Sequence, residues 1–214
     1  MRFAFAPLRR ASFGAIAIDP PWRFSSNSED RPGRNAMRHY KCMRLPDLCA
    51  LPVGELAAPD CWLFLWVTAP FLAQGDQRTL CEAWGFSSAT IGFVWVKSNR
   101  AGPGLFQGLG HSTRQNAEFV VVGRRGRPVR ASRSVHSVIV APRREHSRKP
   151  DEFYARVERL VGDVPKAELF ARERRGGWSS WGDEIGKFDD DSPVKASTKP
   201  SRDAGPGGAV FAGH

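Results

Sequence analysis

Cysteine is scarce in this chain of 214 residues, which contains four cysteines and five histidines. No two cysteines form a CxxC pair and none stands at zinc-ligand spacing from a histidine, so no metal site or disulfide framework is predicted. Long apolar runs are missing too: the longest covers residues 61–73, well below the roughly 18 residues of a membrane-spanning helix. The uncharged stretch at the N-terminus is too short for a signal-peptide core. We therefore expect a soluble, cytoplasmic protein with reduced thiols.

Acidic residues are also in the minority, with 22 against 32 lysines and arginines and a formal net charge of +10. A surface of that sign attracts polyanions, which favours nucleic acid as a partner over the alternative of a merely soluble basic protein. The region from residue 124 to residue 149 has one acid, Glu145, and nine basic residues: Arg124, Arg125, Arg127, Arg130, Arg133, Arg143, Arg144, Arg148 and Lys149. We expect this cluster to bind phosphates beside the active site, with strong salt dependence; a solvated charged face is the alternative.

Six short apolar runs predict strands at residues 15–18, 62–67, 90–96, 118–122, 137–140 and 167–170, and their continuity is typical of strands buried on both faces. Helices are predicted at residues 46–51, 71–84 and 150–161. This alternation predicts an α/β domain over residues 1–186, with a mostly parallel sheet flanked by helices. Residues 187–214 are rich in Asp, Ser, Pro, Lys and Gly, which predicts a disordered tail.

A glycine-rich turn after the first predicted strand is absent, although a dinucleotide-binding fold requires one there. The glycines between residues 102 and 110 follow a middle strand instead, in a long loop over residues 98–114. Long loops inside compact domains are usually functional or mobile. We expect this loop to hold a displaced nucleic-acid strand rather than a cofactor.

Asp19 directly follows the first buried run, so it is expected at the carboxyl end of a parallel strand, where open α/β sheets bind ligands. Pro20 and Pro21 fix the backbone and remove two N–H donors, which is expected to leave carbonyl acceptors beside the carboxylate with no competing local donor. Trp22 offers a flat face for stacking a base, worth about 1–3 kcal/mol. The alternative is a strand-ending turn with a core tryptophan. These residue types together suit a substrate that presents an NH2 group.

The amino lone pair of adenine is delocalised into the ring and is a poor nucleophile. Acceptors for both of its N–H groups let the nitrogen pyramidalise toward a sulfonium methyl group, and they stabilise the positive charge that develops in the transition state. Positioning supplies most of the remaining rate enhancement, so neither a metal nor a covalent intermediate is needed. In a duplex the target amino group is stacked and paired, so the base must be flipped out or presented in a single strand.

The chain resembles the mRNA-adenosine-methyltransferase-like (MT-A-seventy) family of S-adenosylmethionine-dependent adenine methyltransferases, and in particular its compact bacterial or phage members. The matching motifs are, in order, Ala17-Ile18-Asp19-Pro20-Pro21-Trp22, His39-Tyr40, Leu63-Phe64-Leu65-Trp66-Val67-Thr68, Trp95-Val96-Lys97, Glu118 with Val121-Val122-Gly123 and Gly126-Arg127-Pro128, His146-Ser147-Arg148-Lys149-Pro150-Asp151-Glu152, Glu168-Leu169-Phe170-Ala171-Arg172 and Trp178-Ser179-Ser180-Trp181-Gly182-Asp183-Glu184. The resemblance implies a Rossmann-like methyltransferase fold in permuted order, with the catalytic motif before the cofactor-binding half.

The resemblance also implies site residues. The catalytic residues would be Asp19, Pro20, Pro21 and Trp22, and the substrate-binding residues His39, Tyr40, Lys97 and Glu118. S-adenosylmethionine would contact Asp19, Lys149, Glu168, Phe170, Arg172, Asp183 and Glu184. Lys149 can meet the methionine carboxylate, and acceptors in the last loop can hold ribose hydroxyls. The chain lacks the His-Asn pair that follows the equivalent of Arg172 in the eukaryotic RNA enzyme.

The expected activity is methylation of the 6-amino group of adenine, with DNA favoured over RNA because the small chain has no added RNA-binding module. Two alternatives remain open. The first is a catalytically silent partner that binds nucleic acid, although such a chain is expected to lose the acidic-proline motif. The second is an RNA or protein-side-chain methyltransferase with the same fold.

Overall fold

The computed structural model describes residues 3–23, 42–108, 112–145 and 147–189, which form a seven-stranded sheet with helices on both faces. The strands are β1 (Phe13–Ile18), β2 (Ala57–Val67), β3 (Ser87–Ser98), β4 (Ala117–Arg125), β5 (Val138–Pro142), β6 (Lys166–Leu169) and β7 (Trp178–Trp181). The helices are α1 (Leu45–Cys49), α2 (Ala69–Gln74), α3 (Asp76–Ala83) and α4 (Asp151–Val161), with a 3-10 turn at Val53–Glu55.

The strand order is β5-β3-β4-β2-β1-β6-β7. β1 lies parallel to β2 and β6, β6 to β7, and β3 to β5, whereas β4 runs antiparallel to both β2 and β3. The predicted mostly parallel sheet flanked by helices is therefore confirmed. Because β4 alone is reversed, its first residues lie beside the carboxyl ends of its two neighbours.

Alternate residues of each strand fill two cores. Ile16 and Ile18 of β1 face the side covered by α1, α2 and α3, whereas Ala15 and Ala17 face α4. Every residue of β1 is buried, which explains the unbroken apolar run that predicted it. On the α4 side Phe153 is fully buried, and truncating such a ring to alanine costs about 3–5 kcal/mol. The buried strand β1 gives the residue that follows it a rigid support.

Several predicted boundaries were wrong. The single helix predicted at residues 71–84 is two helices, because Gly75 adopts φ +85°, ends α2 and starts α3. Strand β7 was missed, since Trp-Ser-Ser-Trp is too short and too polar to form an apolar run. Phe170 was assigned to the sixth strand but leaves it with φ +60°. Pro150 caps α4 instead of lying in its first turn.

Most of the predicted tail lies outside the described residues, which end in a turn at residues 187–189. Within the described part of the chain, no helix combines the length and the apolar character needed to cross a bilayer.

Candidate active site

The topology brings the predicted site residues to one edge of the sheet. Asp19 follows β1, and Arg172 comes shortly after β6, which is the parallel neighbour of β1. Glu118 lies near the start of the antiparallel β4, opposite Trp95 in the second half of β3. The carboxyl ends of β1, β3 and β6 and the amino end of β4 therefore meet, as the ligand-binding edge of an α/β sheet requires.

Charged side chains form a continuous chain of ion pairs across this edge. Nζ of Lys97 lies 2.5 Å from Glu118 Oε1, and Nζ of Lys149 lies 2.7 Å from Glu118 Oε2. Lys149 Nζ is also 3.2 Å from Asp19 Oδ2, which in turn lies 3.4 Å from Arg172 Nη1. Six of the predicted site residues thus belong to one network, which is completed by the 2.9 Å contact of Arg172 Nε with Glu184 Oε2.

Lys149 holds this network together from a buried position, with 8% of its side chain exposed. Burial works against its charge, but the carboxylates of Asp19 and Glu118 outweigh that effect and raise the pKa of Lys149 above its usual value. Its Nζ also lies 4.6 Å from the ring centre of Trp66, a cation–π contact. Burial likewise disfavours ionised Glu118, yet Lys149 and Lys97 lower the pKa of Glu118 to about 2. Lys149 and Glu118 are therefore charged at neutral pH.

The two prolines of the motif are arranged differently from the prediction. The carbonyl of Pro20 accepts a hydrogen bond from the Trp22 N–H at 2.8 Å, and that of Pro21 accepts one from the Met43 N–H at 2.8 Å. The expectation that these carbonyls have no local donor was wrong, because the chain turns back on itself after Pro20 and then pairs with residue 43. Each carbonyl retains a second lone pair, so acceptor capacity remains.

Trp22 is a largely buried side chain, 6% exposed. Its indole stacks on Phe71 with ring centres 4.6 Å apart, and Nε1 donates to the Trp66 carbonyl at 3.2 Å. One face of the ring is therefore already used, which fixes the orientation of the indole. Trp22 nevertheless lines the main cavity, and its role as a base platform stays a prediction.

A cavity of about 520 Å³ opens at this edge. Its floor includes Asp19, Lys97, Glu118 and Lys149, and its remaining lining residues are Pro20, Trp22, Thr68, Trp95, Arg100, Phe106, Arg143, Arg144, Glu145, Ser147 and Arg148. This volume is within the range of small-molecule sites. Cationic and aromatic side chains predominate on its walls.

A second, much narrower cleft of about 20 Å³ shares Asp19 with the wide cavity. Glu168, Phe170 and Arg172 line it together with Tyr154, and Asp19 and Lys149 belong to both spaces. Two positions around it adopt a backbone conformation that side chains rarely take, Phe170 with φ +60° and Ser147 with φ +64°. Such strain persists only where the surroundings impose it and is concentrated at functional sites.

Glu168 is the second buried carboxyl group of the site. The Tyr154 hydroxyl donates to its Oε1 at 2.6 Å, whereas its buried Oε2 meets no hydrogen-bond donor among the described residues. Burial raises the pKa of Glu168 to about 7, although the bond from Tyr154 works in the opposite direction. Tyr154 was missed by the sequence analysis because its position on the apolar face of α4 is typical of a core residue.

Other predictions are met only in part. Asp183 is exposed, away from the buried part of the network, whereas its neighbour Glu184 joins the network. His39 and Tyr40 lie outside the described residues. The sequence analysis also missed Phe106 and Thr68, which lie in the cavity wall; Thr68 Oγ1 is buried and finds no partner in the described part of the chain.

The predicted cluster of nine basic residues is not a single surface. Arg143, Arg144, Arg148 and Lys149 line the cavity. Arg124 and Arg125 lie at the other end of the sheet, paired in β4 with the middle residues Trp62 and Cys61 of β2. Arg127, Arg130 and Arg133 follow at that end, where the Ala131 N–H bonds to the Leu160 carbonyl near the end of α4. The reversal of β4 separates residues that are close in sequence.

Comparisons with known proteins identify the family of the chain. A family model described as MT-A70 matches residues 13–184. The Type II methyltransferase M.MunI of a Mycoplasma species is 31% identical over 198 residues, which cover 85% of this chain and 81% of that protein. An Arabidopsis thaliana protein named N(6)-adenosine-methyltransferase MT-A70-like is 34% identical over 178 residues, 81% of this chain and 24% of that protein. The human N(6)-adenine-specific methyltransferase METTL4 is 31% identical over 194 residues, 84% of this chain and 39% of that protein.

Proposed function

Because the chain belongs to the MT-A70 family of methyltransferases, we propose that it transfers a methyl group from S-adenosylmethionine to the 6-amino group of adenine in DNA. One observation carries the proposal: Asp19 lines both a wide cavity with cationic and aromatic walls and a narrow cleft lined by buried polar groups. A transferase needs this arrangement, in which one group faces both the acceptor and the donor. The 81% coverage of a Type II methyltransferase favours DNA.

The side chains that line the narrow cleft match groups of the cofactor in their chemistry, while its space of about 20 Å³ is too small for the whole molecule. Members of the family use S-adenosylmethionine, which supplies an activated methyl group as a sulfonium when it is bound. Lys149 offers a buried ammonium for the carboxylate of an amino acid. Glu168 presents an unpaired buried acceptor, which a hydroxyl or amino donor would satisfy. Arg172 and Glu184 stand beside it as a donor and an acceptor.

On the wide side, Asp19 and the Pro20 carbonyl act as acceptors for the adenine amino group. Both are held before the substrate arrives, Asp19 by the buried strand β1 and by Lys149, and Pro20 by the turn that bonds its carbonyl to the Trp22 N–H. Acceptors fixed in advance stabilise the charge that develops on the attacking nitrogen without reorganising. The ammonium of Lys149 and the carboxylate of Glu118 form the polar floor on which the base is oriented.

The nucleic acid must deliver an unpaired base to this cavity. A volume of about 520 Å³ accommodates a purine with part of its sugar. The amino group of a paired adenine is out of reach inside the duplex, so the enzyme acts on a flipped or single-stranded base.

The proposal is tested by incubating the purified protein with methyl-labelled S-adenosylmethionine and either DNA or RNA, followed by digestion to nucleosides. We expect label in N6-methyladenine from DNA and much less from RNA. Asp19→Ala abolishes the labelling and keeps the fold, because Lys149 retains Glu118 and Arg172 retains Glu184. Asp163→Ala serves as a matched control, since Asp163 is exposed in the turn before β6, at the opposite end of the sheet. If the wild-type protein labels neither polymer, the proposal is wrong.

RNA is the second candidate substrate, because the names of several relatives specify N(6)-adenosine methylation. The same assay decides between the two polymers. A silent binding partner is disfavoured because the Asp19-Pro20-Pro21-Trp22 motif is complete and Asp19 is held in the ion-pair network. A thermal-shift measurement with S-adenosylmethionine separates that possibility from an enzyme, since binding would stabilise only a chain with a functional cofactor cleft.

A further inference from the structure

The wide cavity is lined by four arginines, which differ in whether a carboxylate pairs with them. Arg100 pairs with Glu145 at 3.0 Å, Arg144 with Asp151 at 2.7 Å and Arg148 with Glu173 at 2.9 Å. Within residues 3–23, 42–108, 112–145 and 147–189, Arg143 meets no carboxylate. Its guanidinium carbon instead lies 4.4 Å from the ring centre of Phe106. Arg143 is the rim arginine whose charge has no partner of opposite sign in the described structure.

Phe106 is held rigidly at the mouth of the cavity. Its N–H donates to the carbonyl of Lys97 at 2.8 Å, so it is fixed to the strand that supplies part of the cavity floor. Two residues further on, Gly108 passes so close to Gln115 that an added Cβ would stand 1.9 Å from the carbonyl oxygen of that residue. The loop is thus closed at its base, and only a glycine fits at the closure. Phe106 and this closure belong to an anchored segment.

The backbone of Arg143 is anchored to the same loop. Its carbonyl accepts a hydrogen bond from Arg100 Nε at 3.0 Å, and its N–H donates to the Ser98 carbonyl at 3.4 Å. These contacts hold the base of Arg143 and leave its exposed guanidinium on the ring. A flat aromatic ring with a guanidinium beside it is the combination that single-stranded nucleic acids meet in proteins: the ring stacks a base and the cation reaches a phosphate.

We infer that Phe106 and Arg143 form a nucleotide clamp for the DNA substrate, in which Phe106 stacks the purine that enters the cavity and Arg143 binds a phosphate next to it. The inference rests on the proposed function and adds the contacts that hold the polymer. The loop over residues 98–114 was expected to hold a displaced nucleic-acid strand. In the clamp, Phe106 in the described part of this loop stacks on the entering base instead.

The clamp is tested with a fluorescent single-stranded DNA oligonucleotide whose Kd is measured at several salt concentrations. Phe106→Ala loses a stacking contact, which weakens DNA binding about 5- to 100-fold. Phe106→Trp keeps an aromatic ring and should bind DNA as the wild-type protein does. Loss of one phosphate contact in Arg143→Ala reduces the slope of log Kd against log salt by about 0.7. Arg124→Ala is the matched control, because this exposed arginine lies at the far end of the sheet and should leave the slope unchanged.

Cofactor-induced thermal stabilisation of each variant checks that the fold and the cofactor cleft are intact. The clamp is wrong if Phe106→Ala binds DNA as the wild-type protein does, or if Arg143→Ala and Arg124→Ala change the slope equally. These binding measurements decide the clamp even if the wild-type protein methylates no polymer, and that last result counts against the proposed function alone. A protein that methylates DNA while both clamp variants bind normally would overturn only the clamp.

Discussion

The two halves of the site each contain a buried glutamate, and the two are held in opposite ways. Glu118, on the proposed substrate side, lies between Lys97 and Lys149, which lower its pKa to about 2. Glu168, on the proposed cofactor side, faces the Tyr154 hydroxyl and has a pKa raised to about 7 by burial. Both oxygens of Glu118 are paired with lysines. In Glu168, Oε2 has no donor in the described structure, and the proposed cofactor would supply one.

The largest expected effect comes from removing the compensated carboxylate. Glu118→Ala leaves Lys97 and Lys149 without their shared partner, and breaking a buried pair in this way costs about 3–5 kcal/mol of the free energy of unfolding. Denaturant unfolding at pH 7 measures the loss. Glu152→Ala removes an exposed helical pair with Arg156 and should cost under about 1 kcal/mol. Equal losses in the two variants would contradict a structural role for the pairing.

Glu168 should give stability a pH dependence of its own. Its folded pKa of about 7 lies above the unfolded value of 4.5, so the stability that it contributes is complete below pH 4.5 and is lost as the pH rises through 7. The loss between these limits is about 3 kcal/mol. In Glu168→Gln the loss is absent, so the difference in stability between pH 5 and pH 8 shrinks by about 2.5 kcal/mol. A variant with the wild-type pH profile would show that Glu168 does not titrate in this window.

Glu118 acts in the opposite direction, since its folded pKa of about 2 lies below its usual 4.5. Its contribution is complete above pH 4.5 and is lost as the pH falls toward 2. The two glutamates therefore make the free energy of unfolding change with pH in opposite directions, in separate pH windows. Unfolding curves of Glu118→Ala and Glu168→Gln show which glutamate causes each change.

A smaller effect is expected from the phenol that faces Glu168. Tyr154→Phe removes the 2.6 Å hydrogen bond and leaves Oε1 without this donor, which costs about 1–3 kcal/mol at pH 8, where Glu168 is ionised. The same change in the Glu168→Gln background should cost less, because the neutral amide needs the donor less. Unfolding of the two single variants and the double variant measures the coupling, and additive effects would argue against this pairing.

The smallest effect is expected for Lys97. In Lys97→Met, Glu118 keeps the 2.7 Å contact with Lys149, so the cost should be about 1 kcal/mol or less. The pKa of Glu118 rises, and acid unfolding therefore begins at higher pH than in the wild-type protein. If Lys97→Met destabilised the protein as much as Glu118→Ala, Lys149 would not be the main partner of that carboxylate.

Some of these features could be predicted from the sequence. The fold class, a Rossmann-like methyltransferase fold in permuted order, was predictable because buried strands such as β1 leave continuous apolar runs and because the motifs occur in a diagnostic order. Asp19 was predictable from its place after such a run. Glu118 was a candidate because a carboxylate within an apolar strand needs a partner.

The partners themselves could not be predicted, because pairing between distant segments leaves no periodic signal. Lys149 reaches Glu118 across 31 positions of the chain. An apolar run does not show the direction of its strand, so the reversal of β4 could not be predicted either. This reversal places Glu118 at the site and Arg124 and Arg125 at the opposite end of the sheet. Tyr154 has the spacing of a core residue, and only its contact with Glu168 gives it a polar role.

The most direct test of the proposed function concerns Asp19, which lines both spaces. Methyl transfer to single-stranded DNA is measured in a single turnover for the wild-type protein and for Asp19→Asn, with S-adenosylmethionine at a concentration shown to saturate each. The rate of transfer should fall at least about a hundredfold in the variant, since the amide keeps an acceptor oxygen but loses the negative charge that stabilises the positive charge developing on the nitrogen. Transfer by Asp19→Asn within a few-fold of the wild-type rate would contradict the proposed function.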